Sequence, residues 1–118
     1  MSTDPSPGDL SPSQTRLLDA VDGDWIDEQA WQLLQIPSVT MDEGEVCGLF
    51  ECQLRDLGLQ VDVRAVDDDG RNNLYARIQG QGHGPTLVLN GHLDTIPLGD
   101  AWPPRQTETQ LHGRGATD

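Results

Sequence analysis

A change of hydrophobic period across one glycine constrains this chain most. Val46, Leu49, Phe50, Leu54 and Leu57 recur three and four apart, as on one face of an α-helix. The pattern stops at Gly58. From Leu59 to Ala65 it alternates: Leu59, Val61, Val63 and Ala65 share one face, Gln60, Asp62 and Arg64 the other. That is the period of a half-buried strand. Thr40 and Glu43, three apart, predict a capping box that opens the helix. Gly58 predicts a left-handed stop. A helix that runs into a strand through one glycine packs back on the sheet which that strand joins, and this points to the α/β class.

The remaining segments fit around that unit. Leu74, Ala76 and Ile78 alternate after the Asp67–Gly70 turn and predict a second strand, antiparallel to the first. Upstream, Thr15 to Val21 carries a helical pattern. After Gly23, Asp24 is a candidate cap for a run with Ile26, Ala30, Leu33 and Leu34 on one face, ended by Pro37. The two pieces read either as separate helices or as one interrupted helix. Leu87, Val88 and Leu89 lie between Gly84-Pro85 and Asn90-Gly91, which predicts a strand over residues 86–90 buried on both faces. After Asp94 the prolines at 97, 103 and 104 predict loop. Residues 1–13 read as a flexible, acidic, Pro-rich tail, and residues 14–118 as one α/β unit: a mixed sheet with helices on its faces. With about three strands and no element after the last Gly-rich segment, the unit reads as the incomplete N-terminal part of a larger domain.

Composition narrows the partners. Twenty acidic residues face seven basic ones, giving a net charge of −13, and all seven basic residues are arginine. Nucleic acid and anionic membrane both require cationic surface, so neither is an expected partner. No apolar run approaches the roughly 18–20 residues of a membrane span, and the N-terminus lacks the basic and apolar regions of a signal peptide. Cys47 and Cys52 fall on one helix about 140° apart, which suits two reduced thiols in a cytoplasmic protein better than a disulfide. An Asp-rich chain without lysine resembles proteins of salt-loving organisms; a genome rich in GC, favouring arginine codons, is the alternative.

The chemistry-bearing residues lie at the end of the 86–90 run. His92 and Asp94 are two apart, so in extended chain they point to one face. A metal-binding histidine has its second ring nitrogen held by a carboxylate or carbonyl. On these residues alone, a turn histidine hydrogen-bonded to a nearby Asp is the commoner outcome. His83, among glycines, reads as an exposed loop residue, and His112 as a structural one.

Two segments then read together. Leu87-Val-Leu-Asn-Gly-His92-Leu-Asp94-Thr-Ile-Pro97 resembles the first signature of the M20 family of zinc-dependent peptidases and amide deacylases, which includes acetylornithine deacetylases and succinyl-diaminopimelate desuccinylases. Gly113-Arg-Gly-Ala-Thr-Asp118 resembles the start of that family's second signature. Ile36-Pro-Ser-Val-Thr40 and Arg71-Asn-Asn-Leu74 are also similar to family segments, and the resemblance covers residues 25–118. Pro103-Pro104-Arg105 and His112 depart from the family pattern.

The resemblance implies a two-zinc site, with cobalt as an alternative ion. His92 would bind one ion. Asp94 would be the catalytic-site residue that orients the His92 ring, and Asp118 would bridge both ions. It implies hydrolysis of amide bonds in N-acyl amino acids or small peptides, in a protein that can be a homodimer. The family's Glu-Glu pair, its general base and next ligand, falls beyond residue 118, so this chain by itself is expected to be inactive. The alternative is a non-catalytic acidic domain with weak metal binding or an interaction role.

The charge generates a test. With 13 excess negative charges, self-repulsion is screened by salt. The unfolding midpoint should therefore rise as ionic strength moves from the low millimolar into the molar range. A midpoint indifferent to salt would favour codon bias over halophily.

Overall fold

In the computed structural model of the chain, residues 10–117 are described. The predicted tail thus lies outside it except for its last residues. Of these, Pro12 and Ser13 begin α1, which spans Pro12–Asp19, so the expected 13/14 boundary falls inside that helix. Ser11 caps the helix, its Oγ accepting from Gln14 N at 3.3 Å while Gln14 Oε1 accepts from Ser11 N at 2.8 Å. This reciprocal pair is a capping box, and Pro12 at the first position loses no bond that the helix needs.

The second helix, α2, spans Gly23–Leu34 and is separate from α1. Its cap is Asp22 rather than the expected Asp24, with Oδ1 accepting from Trp25 N at 3.0 Å. The two-residue shift puts Asp24 in the first turn, where a carboxylate meets the positive end of the helix dipole.

The third helix, α3, spans Gly44–Asp56 and ends as its sequence predicts. Gly58 has φ +81°, Gly58 N donates to Arg55 O at 2.8 Å, and Leu59 N donates to Leu54 O at 3.1 Å. These are the two bonds of a Schellman motif. The start of α3 differs from expectation. Glu43 occupies the cap position without a side-chain cap bond, because Thr40 is used elsewhere.

The chain leaves Gly58 directly into β1 (Gln60–Ala65), which pairs antiparallel with β2 (Asn72–Arg77), Val63 opposite Leu74. Asp67 Oδ1 accepts from Asp69 N and Arg71 N to shape the turn between them. The ribbon packs on α3, and α3 on α2.

The predicted strand over residues 86–90 is not formed among the described residues. Leu87, Val88 and Leu89 are 77–88% exposed, and the segment makes no sheet pairing. A run buried on both faces requires strand neighbours for its main chain and layers above and below for its side chains. The β1–β2 ribbon supplies neither. The loop predicted after Asp94 also holds more order than expected, with a 3₁₀ turn at Gly99–Ala101 and a short hairpin, β3 (Arg105–Gln106) with β4 (Leu111–His112). The mixed character of the sheet reduces to one parallel bridge, Val39 with Thr95.

The core is correspondingly small. Val46 and Cys47 are its buried apolar residues, with Ser38, Glu43 and Gln53 buried beside them. The radius of gyration is 17.4 Å, against about 13–14 Å for a compact chain of this length. Among the described residues, no helix is long and apolar enough to cross a membrane. Both cysteines are free, Cys47 buried and Cys52 exposed. Burial, with Glu51 and Glu43 nearby, pushes the Cys47 thiol above its ordinary range and keeps it protonated and unreactive.

Two glycines, one inside α3 and one just past its end, should respond oppositely to alanine. Gly48 lies inside the helix with open space around its missing Cβ, so Gly48→Ala should stabilise by about 0.5–1 kcal/mol. Gly58 also has open space but a positive φ, so Gly58→Ala should destabilise by about 1–2 kcal/mol. Urea unfolding of both variants checks the pair of signs.

Candidate functional site

The site forms where residues 38–40 meet residues 92–95. Thr40 N donates to Thr95 O at 3.0 Å, and Thr95 N donates to Ser38 O at 2.8 Å. These two bonds hold the segment after α2 beside the segment that carries His92 and Asp94.

His92 and Asp94 are brought together, though not by a regular strand. His92 Nδ1 lies 2.8 Å from the Asp94 main-chain carbonyl oxygen and 3.3 Å from Asp94 Oδ1. A carbonyl oxygen only accepts, so Nδ1 carries the proton. In the neutral ring the lone pair is then on Nε2, the form in which a histidine ligates a metal through Nε2.

Asp94 is held from its other side. Thr40 Oγ1 donates to Asp94 Oδ2 at 2.7 Å. That bond, with the Asp94 main-chain N–H and the neighbouring His92 ring, holds the Asp94 carboxyl below the usual carboxylate range, against a smaller opposing effect of desolvation. Asp94 is therefore an anion at neutral pH and a good acceptor for both neighbours.

Thr40, His92, Asp94, Thr95, Ile96 and the stretch around Gly113–Thr117 line one cleft of about 230 Å³. The two segments singled out in the sequence thus share a cavity. Gly113 fits closely there: a Cβ on it would lie 3.1 Å from Pro104 Cβ and 3.3 Å from Leu34 Cδ2. Gly115, at φ +88°, turns the chain along the cleft. Arg114 Nη2 donates to Leu98 O at 3.3 Å, while Arg114 Nε and Thr95 Oγ1 are buried without a hydrogen-bond partner among the described residues. A larger hollow of about 430 Å³ lies over the β1–β2 ribbon, lined by Arg64, Tyr75 and their neighbours. It contains neither histidine nor cysteine.

Asp118, the other expected metal ligand, lies outside the described residues. Among those described, no three His, Cys, Asp or Glu side chains converge to hold an ion. The donor chemistry of His92 suits a divalent metal; the described residues alone fall short of the three or four protein ligands that zinc uses.

Sequence reasoning placed His92 and Asp94 but missed Thr40, which it assigned to a helix cap. The available signal was the Ile36–Thr40 segment itself, similar to a family segment yet not needed by the helix that follows. His83 is exposed, as expected. His112 lies on β4 with Nε2 3.1 Å from Gln110 Oε1, away from the cleft-lining residues.

The chain is 38% identical over 99 residues to the succinyl-diaminopimelate desuccinylase of Parvibaculum lavamentivorans, an overlap of 75% of this chain and 25% of that protein. It is 41% identical over 93 residues to the protein of the same name from Cereibacter sphaeroides, with 73% of this chain and 24% of that one covered. It is 36% identical over 96 residues to that of Leptothrix cholodnii, with 74% and 25% covered. The chain spans about a quarter of the length of these curated relatives. Neither a protein-family model nor a solved structure matches it.

The close approach at Gly113 carries a test of the cleft wall. Gly113→Ala should destabilise by about 1–3 kcal/mol, the usual range for overpacking, because Pro104 and Leu34 must give way. Thermal unfolding against wild type measures it; an unchanged midpoint would show that the wall is pliable.

Proposed function

Because this chain belongs to the M20 family of peptidases and amide deacylases, we propose that it supplies the His92-bearing part of a metal-dependent hydrolase acting on the amide bond of N-acylated amino acids. One observation supports this reading above the rest. His92, oriented through Nδ1 by Asp94, shares a cleft with residues 113–117.

Each residue has a defined task in this reading. His92 would be a ligand of the ion. Asp94 fixes the ring and raises its basicity, a role whose loss costs about 10–100-fold in metal affinity or activity. Asp118, next after Thr117 in the sequence, would supply a further carboxylate towards the metal centre. The chemistry a divalent ion such as zinc or cobalt would supply when bound is Lewis-acid activation of the amide carbonyl and of water. The other ligands and the general base would come from residues outside the segment that this chain shares with its relatives. The relatives are named for a succinyl substrate, which puts N-succinyl amino acids first among those to test.

The full-length protein, loaded with Zn²⁺ or Co²⁺, should hydrolyse at least one of a panel of N-succinyl amino acids, N-acetyl amino acids and dipeptides. The 118-residue chain alone should hydrolyse none. In the full-length protein, His92→Ala should lose one metal equivalent, and Asp94→Ala should retain metal more weakly with turnover about 10–100-fold lower. A metal-loaded protein inert towards the whole panel would sink the reading in favour of a non-catalytic acidic module.

A further inference from the structure

We propose that Thr40 is a positioning residue of the His92 centre: its hydroxyl, steadied by a Glu43–Arg71 clasp, fixes the Asp94 carboxylate and through it the His92 imidazole. The proposal deepens the reading above and rests on it for its consequence in catalysis.

The carboxylate of Asp94 has one partner on each oxygen. Oδ2 accepts from Thr40 Oγ1 at 2.7 Å, and Oδ1 lies 3.3 Å from His92 Nδ1. Asp94 is only partly buried, its side chain 36% exposed, so water can compete for either oxygen. The Thr40 hydroxyl is the contact that holds Oδ2, and with it the carboxylate orientation that sets Oδ1 against the ring. Both of these Nδ1 contacts are to Asp94, one through its carbonyl and one through its side chain. Rotation of the carboxylate therefore removes the side-chain contact to the ring while the main-chain contact stays.

Thr40 is placed for this at the expense of α3. Its main-chain N–H is committed to Thr95 O, and its Oγ1 lies 3.4 Å from the same oxygen. A β-branched side chain has few χ1 choices, so the bridge that fixes the Thr40 backbone also aims its hydroxyl. The next residue, Met41, has φ +82°, a left-handed conformation that a long side chain adopts only where its surroundings enforce it. Glu43 enforces it. Glu43 Oε1 accepts from Met41 N at 2.8 Å, and Oε2 lies 3.6 Å from Arg71 Nε as an ion pair without hydrogen-bond geometry. Arg71 in turn lies 3.5 Å from Asp67 in the β1–β2 turn. Glu43 is 9% exposed, so its carboxylate has little water to turn to. The sequence spacing that looked like a capping box is used instead to bend the chain and present a hydroxyl to the site.

Thr40→Val keeps the shape and removes the hydroxyl; Thr40→Ser keeps the hydroxyl. Thr40→Ala is a second deletion should the valine distort the bridge. Two measurements on the full-length protein separate the possibilities. In metal-free protein, at a pH where the ring is neutral, the ¹⁵N imidazole spectrum of His92 should show the Nδ1–H tautomer in wild type and Thr40→Ser. In Thr40→Val the ring ¹⁵N shifts should move, as the side-chain contact to Nδ1 weakens while the main-chain one stays. In a Co²⁺ titration followed by visible absorption, Thr40→Val should bind about 10-fold more weakly, Thr40→Ser should match wild type, and Thr40→Val should add nothing in an Asp94→Ala background.

Unchanged ring spectra and Co²⁺ affinity in folded Thr40→Val and Thr40→Ala would overturn the proposal. So would a loss of affinity that persists undiminished when Asp94 is alanine. A wild-type protein that binds no Co²⁺ while Thr40→Val still alters the ring spectrum would leave the positioning role standing and remove the metallohydrolase reading.

Discussion

Two main-chain hydrogen bonds across the Val39–Thr95 bridge hold the segment that carries His92 and Asp94 to the helical part of the molecule. Thr40 N to Thr95 O and Thr95 N to Ser38 O join segments more than fifty residues apart in sequence. The run of contacts from Thr40 through Asp94 to the His92 ring is built on them. They set the Thr40 backbone, which aims the hydroxyl at Asp94, which holds the ring nitrogen. Ser38 is 6% exposed, and a buried main-chain bond of this kind is costly to leave unmade.

Around that junction the packing is thin. Its apolar centre is Val46 and Cys47 on α3, with the β1–β2 ribbon on one side and α2 on the other. The Leu87–Leu89 run, the most apolar stretch ahead of the site, is exposed. Each such side chain forgoes about 1.5–3 kcal/mol of burial. The molecule therefore places its chemistry at the end of a segment whose own hydrophobic demand is unmet by the described residues. Local devices compensate: the Schellman stop at Gly58, the Asx turn at Asp67 and the Glu43–Arg71 ion pair each fix a short piece of chain without a large core.

The electrostatics of the site stand apart from those of the chain. Over the whole sequence the carboxylates repel one another, with a net charge of −13. At the junction one carboxylate, Asp94, receives a hydroxyl proton and a ring N–H at short range, and these contacts outweigh its modest desolvation. Cys47 shows the opposite balance: burial and two neighbouring glutamates favour its neutral form. Which of these outcomes a residue meets depends on its immediate partners and not on the overall charge.

Sequence alone determined the features that depend on neighbours within a few residues. The period change at Gly58 located α3, its stop and β1, because the helix period, the left-handed glycine and the strand alternation are local properties. The two signature segments, and the adjacency of His92 to Asp94, were legible for the same reason. Tertiary structure decided what a local rule could not. Thr40 and Glu43 satisfy the spacing of a capping box, yet Thr95 and Asp94 compete for Thr40 and win, because a main-chain bridge and a charge-assisted bond together outweigh one helix cap. Leu87 to Leu89 satisfies the pattern of a doubly buried strand, but burial requires layers on both faces, and a pattern cannot provide the layers it calls for. The cleft joining His92 to Gly113–Thr117 is likewise a product of the fold, since only packing against Leu34 and Pro104 brings that glycine to its place.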